Sequence, residues 1–271
     1  MNILQAIVLG IVQGAAEFLP ISSSGHLVLV PWWLGWEEPP LLFDVTVHVG
    51  TTVAIILYFW RDWLRLTLAG LAVLRKRALT TTDERIIFYL IIGTIPAGLV
   101  GLALESYFES VFSDPSVVAL MLMVTAGILY FSERMTSTRR KLESMNIIDS
   151  LFIGCAQAVA IVPGISRSGS TIAAGLVRNL EREVATRYSF LLATPIILAA
   201  GAKQAFEVFT EDIQIDSEMS IALVAGFIAS AVVGYISIAF LLGFVRQRRL
   251  IPFAVYCLVF GIISFIATQI V

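Results

Sequence analysis

Two segments of this chain, 144 residues apart, carry the same Gly/Pro/Ser-broken motif. The first reads GIVQGAAEFLPISSSGH over residues 10–26, and the second reads GCAQAVAIVPGISRSG over residues 154–169. Aligned without a gap over sixteen positions, the motifs share seven identical residues, whereas a composition of this kind would give roughly one or two. The sequence therefore predicts an internal duplication, with repeat 1 at about 1–133 and repeat 2 at about 147–271.

The surrounding sequence places both motifs in a lipid environment. Hydrophobic residues make up 58% of the chain and charged residues 14%, against about 25% charged residues in soluble domains. The mean hydropathy is +0.89, so we expect a polytopic membrane protein with no soluble domain and no nucleic-acid partner. Broken hydrophobic sequence at matching places in two halves points to a site inside the membrane.

Charge alternates in sign along the chain. Sixteen of the eighteen Lys and Arg residues lie at 61–85, 134–141, 178–187 and 246–249, and the connections at 37–44, 105–114 and 207–218 carry acidic charges only. Basic clusters are cytoplasmic by the positive-inside rule. Spans are therefore predicted at about 44–60, 86–104, 116–132, 188–206, 219–243 and 251–270.

Residues 1–34 and 147–177 must each leave and return on one side of the membrane. We predict that each forms a re-entrant pair of short helices, because irregular backbone at membrane depth must be buried in protein or line a wet cavity. Three crossings per unit would invert repeat 2 relative to repeat 1. The predicted fold is one all-α polytopic membrane domain over 1–271, an inverted-topology repeat of six transmembrane helices plus two re-entrant helix pairs, with both termini outside.

The second motif has the composition of an oxyanion site. It combines Gly for close backbone approach, hydroxyl donors, a guanidinium that is always charged, and the start of a helix. An arginine inside the membrane is costly and usually functional, although Ser and Gly also serve helix packing. The predicted diphosphate-binding residues of this segment are Gly164, Ser166, Arg167, Ser168 and Thr171.

The first motif supplies the other half of the site. Glu17 is the only acidic residue in its apolar stretch, and Gln13 lies one helical turn before it. The partner of Glu17 is Arg167, His26 or a bound cation, and a packing ion pair is the structural alternative. His26 is either a catalytic group or a helix cap. Ser23 aligns with Arg167, so the two halves supply different groups, which favours one composite catalytic site.

Asp44 and His48 are spaced i, i+4 at the start of the first predicted span. This spacing puts both side chains on one face of a helix near its outer end. They are predicted either to line the entrance and support the site as a second shell, or to form a helix-start pair.

The two motifs resemble known signatures. QGAAEFLPISSSGH at 13–26 resembles the first signature of the bacitracin-resistance family of undecaprenyl-diphosphate phosphatases, and PGISRSGST at 163–171 resembles the second. The resemblance implies an integral membrane enzyme that hydrolyses undecaprenyl diphosphate to the monophosphate and phosphate, recycling the lipid carrier of cell-wall synthesis. It implies roles in catalysis or diphosphate binding for Glu17, Ser23, His26, Ser166, Arg167 and Thr171.

The expected mechanism keeps several alternatives. Ser23 is the leading nucleophile with His26 as base, and the alternatives are His26 as nucleophile or a water activated by Glu17. Ser22, Ser24 and Gln13 are expected to help bind the diphosphate, and Mg²⁺ or Ca²⁺ on Glu17 is the expected cofactor. Family signatures carry Glu or Gln at the position of Gln13, and a Gln cannot act as a base.

The competing class is a transporter. Inverted repeats with broken helices also build alternating-access carriers, so a polyprenyl-phosphate flippase or small-anion transporter is the alternative function. The expected partners are polyprenyl diphosphate and membrane lipids, with a homodimer as an assembly to test. The expected location is the inner (plasma) membrane, with the site open to the outer face.

Overall fold

The computed structural model describes residues 1–111, 114–137, 140–210 and 216–270. The regular secondary structure of these residues is α-helical, apart from one 3₁₀ turn and one isolated β-bridge, which confirms the all-α class. In chain order the helices are α1 (Ile3–Phe18), α2 (Ser23–Leu34), α3 (Leu41–Tyr58), α4 (Trp60–Lys76), α5 (Thr82–Val111), α6 (Pro115–Met135), α7 (Ile147–Val159), α8 (Arg167–Val177), α9 (Arg182–Thr210), α10 (Ser217–Val245) and α11 (Ile251–Thr268).

Six of the described helices are long and apolar enough to cross a membrane. They are α3, α5, α6, α9, α10 and α11, which confirms the number of predicted spans and their order. The inversion of repeat 2 relative to repeat 1 stays a prediction. Positions 112–113 and 211–215 of two acidic connections, and 138–139 of a basic cluster, lie outside the described residues.

The two predicted re-entrant segments each contain two short helices. Helices α1 and α2 have 16 and 12 residues, and α7 and α8 have 13 and 11, fewer than the ~20 residues that a spanning helix needs. Within each pair the helices pack on each other. The breaks fall at residues 19–22 and 160–166, on the Pro-containing parts of the two motifs.

Equivalent glycines dock the first helix of each pair on a span of the other repeat. A Cβ on Gly10 of α1 would lie 2.6 Å from the carbonyl oxygen of Gly226 in α10. A Cβ on Gly154 of α7 would lie 2.3 Å from the carbonyl oxygen of Gly93 in α5. Only glycine permits these backbone contacts, so the identity of Gly10 and Gly154 in the repeat is explained by packing.

An ion cluster fixes the start of α7. The Asp149 carboxylate, with 0% of its side chain exposed, accepts hydrogen bonds from Arg140 at 2.6 Å and from Arg178 at 2.7 Å. It also accepts the backbone N–H of Asn146, the N-cap of α7. Two cations and a cap satisfy this buried charge, and they tie the second re-entrant pair to the chain on either side of it.

Helix α4 was not anticipated from the sequence, which was interpreted there only as a basic connection. Its residues Leu64, Leu68 and Leu71 are exposed and recur at the three- and four-residue spacing of one helix face. Asp62 pairs with Arg65 at 2.6 Å within the same helix. An exposed apolar face beside basic residues is typical of a helix that lies in the membrane interface.

Candidate active site

The loops before α2 and α8 end in the same hydrogen-bonded cap. The hydroxyl oxygens of Ser22 and Ser166 each accept the backbone N–H three residues later, at 3.2 and 3.0 Å. The S-x-S-G pattern shared by the motifs is therefore a helix N-cap. As a result Ser23 and Arg167 are the first residues of their helices, at equivalent positions in the two repeats.

The tips of the two re-entrant pairs contact each other. The Ser168 hydroxyl donates to the carbonyl oxygen of Leu19 at 3.2 Å. A Cβ on Gly25 would lie 3.3 Å from the Cα of Gly164, which has φ +90°. That backbone conformation and the close approach both favour glycine. The contact brings the N-termini of α2 and α8 to one place.

Glu17 joins the two repeats at this point. Its Oε2 accepts the Ser23 hydroxyl at 2.6 Å and the Gln13 amide N–H at 3.0 Å, and its Oε1 accepts Arg167 Nη2 at 2.7 Å. The Glu17 side chain is 3% exposed. A charged hydrogen bond to Arg167 and two neutral donors satisfy the buried carboxylate.

The electrostatics of the site favour an anion. The charges of Glu17 and Arg167 offset each other, and the N-termini of α2 and α8 add positive potential from their unpaired backbone N–H groups. The contact with Glu17 uses Nη2 of Arg167, whereas a guanidinium offers five N–H donors. A phosphate group beside Arg167 would therefore meet donors from both repeats.

A cavity of about 400 Å³ opens beside Glu17, a volume typical of sites for small ligands. The lining of the cavity contains both polar and apolar residues. Its polar lining consists of Ser22, Ser23, Ser24, Asp44, His48, Gln157 and Arg167.

Comparison with known proteins identifies the family. The family model described as "Bacitracin resistance protein BacA" matches residues 6–263. The chain belongs to the bacitracin-resistance family. A protein of Moorella thermoacetica named undecaprenyl-diphosphatase is 43% identical over 256 residues, 94% of each chain. Proteins with the same name from Desulforudis audaxviator and Methanosphaera stadtmanae are 42% and 43% identical, over 97% and 98% of this chain and 96% and 98% of their own.

His26, which the family resemblance places in the reaction, lies apart from the cavity. Its Nδ1 is 2.7 Å from the carbonyl oxygen of Ser22, and its Nε2 is 2.7 Å from the hydroxyl of Tyr256. The ring stacks on Tyr256 and on Phe260. Both ring nitrogens have partners away from Ser23, so this geometry supports the capping and packing alternative for His26.

Other predicted residues support the loops rather than line the cavity. Thr171 is fully buried and bonds to the Arg167 carbonyl and to the Ser189 hydroxyl at 2.7 and 2.5 Å, which ties α8 to α9. Ser166 is the N-cap, and the carbonyl of Gly164 accepts the Thr125 hydroxyl at 3.0 Å. These residues hold Arg167 in place.

Asp44 and His48 line the cavity from α3. His48 Nδ1 lies 2.7 Å from the Asp44 carbonyl oxygen, so Nδ1 carries the proton. His48 Nε2 is 3.7 Å from Glu17 Oε2. The histidine beside the Glu17–Ser23 pair is therefore His48 and not His26.

Gln157 lines the cavity but was not among the site residues predicted from the sequence. It is 2% exposed, and neither its amide nitrogen nor its amide oxygen has a hydrogen-bond partner among the described residues. The repeat explains this: Gln13 donates to Glu17, but the position that matches Glu17 in repeat 2 is Ile161. The alignment of Gln13 with Gln157 was the signal that could have found it.

The side chains present do not form a protein-built cation site. Both carboxylate oxygens of Glu17, the predicted metal ligand, already accept hydrogen bonds from the protein. Within the part of the chain that the structure describes, no three His, Cys, Asp or Glu side chains converge. A divalent cation usually takes six or more oxygen ligands, so one bound here would need water and diphosphate oxygens in addition to this donor set.

Proposed function

We propose that this chain hydrolyses undecaprenyl diphosphate to undecaprenyl monophosphate and inorganic phosphate. The observation that carries the proposal is the hydrogen bond between the Ser23 hydroxyl and the Glu17 carboxylate, 2.6 Å long, beside Arg167 and two helix N-termini. Phosphoryl transfer requires a nucleophile, a base and an anion-binding group at one place; here Ser23 and Arg167 line the cavity, and Glu17 is hydrogen-bonded to both. The family and its named members agree with this reaction.

In the first step the Ser23 oxygen attacks the terminal phosphorus. The Oγ–P bond forms, the bond from phosphorus to the bridging oxygen breaks, and the electron pair leaves with the lipid monophosphate. The Ser23 proton passes to Glu17 Oε2, 2.6 Å away, and from there to His48 Nε2, 3.7 Å from the same oxygen. Arg167 and the helix N-termini stabilise the charge on the phosphoryl oxygens.

In the second step water hydrolyses the phosphoserine. Glu17 takes a proton from the water, the water oxygen bonds to phosphorus, and the Ser23–phosphorus bond breaks. The proton on Glu17 then returns to the Ser23 oxygen, and His48 Nε2 gives the proton that it took in the first step to the solvent, which leaves inorganic phosphate and the starting enzyme. The alternative in which water attacks the diphosphate directly uses the same base and differs in having no phosphoserine.

The site faces the outer side of the inner (plasma) membrane, both termini lie outside, and membrane lipids and a homodimer are the proposed associations. Mg²⁺ or Ca²⁺ enters this proposal only as a counter-ion of the diphosphate oxygens. No step above depends on it.

The test is phosphate release from undecaprenyl diphosphate by the full-length protein purified in detergent. We expect monophosphate and phosphate in equal amounts. Glu17→Gln should lower kcat about a hundredfold or more, because the variant keeps a polar side chain and loses the base. The control is Glu183→Gln, which changes a glutamate bonded to Arg246 outside the cavity and should leave kcat unchanged.

The contradictory result is binding of the lipid without release of phosphate. If the purified protein then moved undecaprenyl monophosphate across vesicle membranes, the chain would be a transporter. Equal activity of Glu17→Gln and the wild-type protein would keep the hydrolase but remove Glu17 from its chemistry.

A further inference from the structure

A second, apolar groove leads away from the candidate active site. Its volume is about 580 Å³, and it lies between α5 and α9 with the α7–α8 break at its base. The groove and the active-site cavity share five lining residues, so the two spaces adjoin. The shared residues are Ala97, Gly101, Ile161, Ile196 and Ala200.

The groove is lined by one face of each helix. Helix α5 contributes Thr94, Ala97, Gly98, Gly101 and Leu102, and α9 contributes Pro195, Ile196, Ala199, Ala200 and Lys203. Both sets follow the three- and four-residue spacing of a helix face. Small residues that face each other normally let two membrane helices pack closely, but here they border an open volume.

The polar lining of the active-site cavity also indicates a ligand. Gln157 lines the active-site cavity at 2% exposure with both amide atoms unpartnered. A buried amide without partners is costly, and a phosphate oxygen would satisfy its N–H group. The two adjoining spaces therefore offer hydrogen-bonding groups in the cavity and an apolar channel in the groove.

We propose that the α5–α9 groove binds the first isoprene units of the polyprenyl chain while the diphosphate occupies the cavity. This inference rests on the proposed function, because it assigns the tail of the same substrate. The chemistry of the walls matches a branched hydrocarbon, and the groove begins where the diphosphate cavity becomes apolar. The groove is thus the part of the site that selects a lipid diphosphate over a soluble one.

Gly98 gives a direct test because it lines the groove and has free space where a side chain would begin. A Cβ added there meets no atom within 4 Å, so Gly98→Ala and Gly98→Leu should fold while projecting into the groove. Gly243 on α10 is the matched control, since its Cβ would also meet nothing within 4 Å and it lies outside both cavities. Gly243→Leu therefore makes the same change without filling the groove.

The experiment uses the full-length protein in detergent with two substrates, undecaprenyl diphosphate and inorganic diphosphate, which has no isoprene tail. Gly98→Leu should raise KM for the long-chain substrate about tenfold, with Gly98→Ala in between, since each lost methylene contact weakens binding. Its kcat/KM for inorganic diphosphate should stay near the wild-type value, because this substrate places no isoprene unit in the groove. Gly243→Leu should change neither.

A binding measurement separates this proposal from the proposed function. Undecaprenyl monophosphate should bind Gly98→Leu more weakly than Gly243→Leu, whether or not the wild-type protein releases phosphate. Equal affinity of the two variants for the monophosphate would overturn the proposal that the groove binds the polyprenyl chain. An equal fall in the kcat/KM of Gly98→Leu for both substrates would also overturn the proposal, because the leucine would then block the diphosphate cavity rather than the groove.

Discussion

Glu17 links residues of both repeats through its two carboxylate oxygens. Ser23 and Arg167 stand at equivalent positions of the two motifs, and one bonds to each oxygen. Because the position matching Glu17 in repeat 2 is Ile161, only one such carboxylate exists. The duplicated framework therefore supplies one composite site rather than two equal ones.

At the same scale, Gln157 should contribute to substrate binding. Gln157→Leu removes an amide whose two polar atoms have no partner among the described residues, so the folded protein should be as stable as the wild type or more stable. The kcat/KM for undecaprenyl diphosphate should fall about tenfold through loss of a hydrogen bond to a charged phosphate. Thermal unfolding and initial rates in detergent measure the two effects.

Gln13→Leu is the informative comparison for this prediction. Gln13 donates to Glu17, so its loss should lower activity together with stability. Unchanged kcat/KM in Gln157→Leu would mean that the free amide does not meet the substrate.

At the scale of elements, the short helices were predictable and α4 was not. Gly, Pro and Ser within an apolar stretch predicted both breaks, and the structure has breaks at those residues. Helix α4 was not predicted because its arginines and lysines indicated a loop between spans. Leu64, Leu68 and Leu71 nevertheless follow helical spacing. Charge outweighed periodicity in that interpretation.

The packing of α7 on α5 should be sensitive to a single methyl group. Gly154→Ala would place a Cβ 2.3 Å from the carbonyl oxygen of Gly93, so the helices must separate, at a cost of about 1–3 kcal/mol. Gly127→Ala on α6 adds the same methyl where no atom lies within 4 Å. Thermal unfolding in detergent should show a lower Tm for Gly154→Ala only, and equal Tm values would contradict the close contact.

At the scale of the whole molecule, charge segregation predicts which loops face which side. Single cysteines can test this after Cys155 and Cys257 are replaced by Ala. Glu38→Cys and Gln269→Cys, at exposed positions, should react with a membrane-impermeant maleimide on intact cells. Arg77→Cys, which is also exposed, should react only after permeabilisation. The opposite labelling pattern would reverse the predicted orientation.

The sequence predicted more of the framework than of the chemistry. Six spans and two broken hairpins follow from hydropathy, charge and the repeat, which are properties of long segments. The roles of His26 and His48 depend on side-chain directions in three dimensions: His26 follows the first motif directly but bonds to Tyr256, whereas His48 reaches Glu17 from another helix. Proximity along the chain favoured His26 as the base for Ser23, whereas in this geometry His48 lies beside the Glu17–Ser23 pair. The catalytic role of His26 stays a prediction.

The most direct test of the account is whether phosphate passes through Ser23. Undecaprenyl diphosphate labelled in its terminal phosphate should be mixed with the purified protein and quenched with acid within one turnover. We predict label on Ser23 in the wild-type protein. Ser23→Ala should show no label and about a thousandfold lower turnover, whereas Ser220→Ala, which removes an exposed hydroxyl at the start of α10, should keep both. Turnover by Ser23→Ala at the wild-type rate, with no labelled protein, would contradict the account and assign the attack to water.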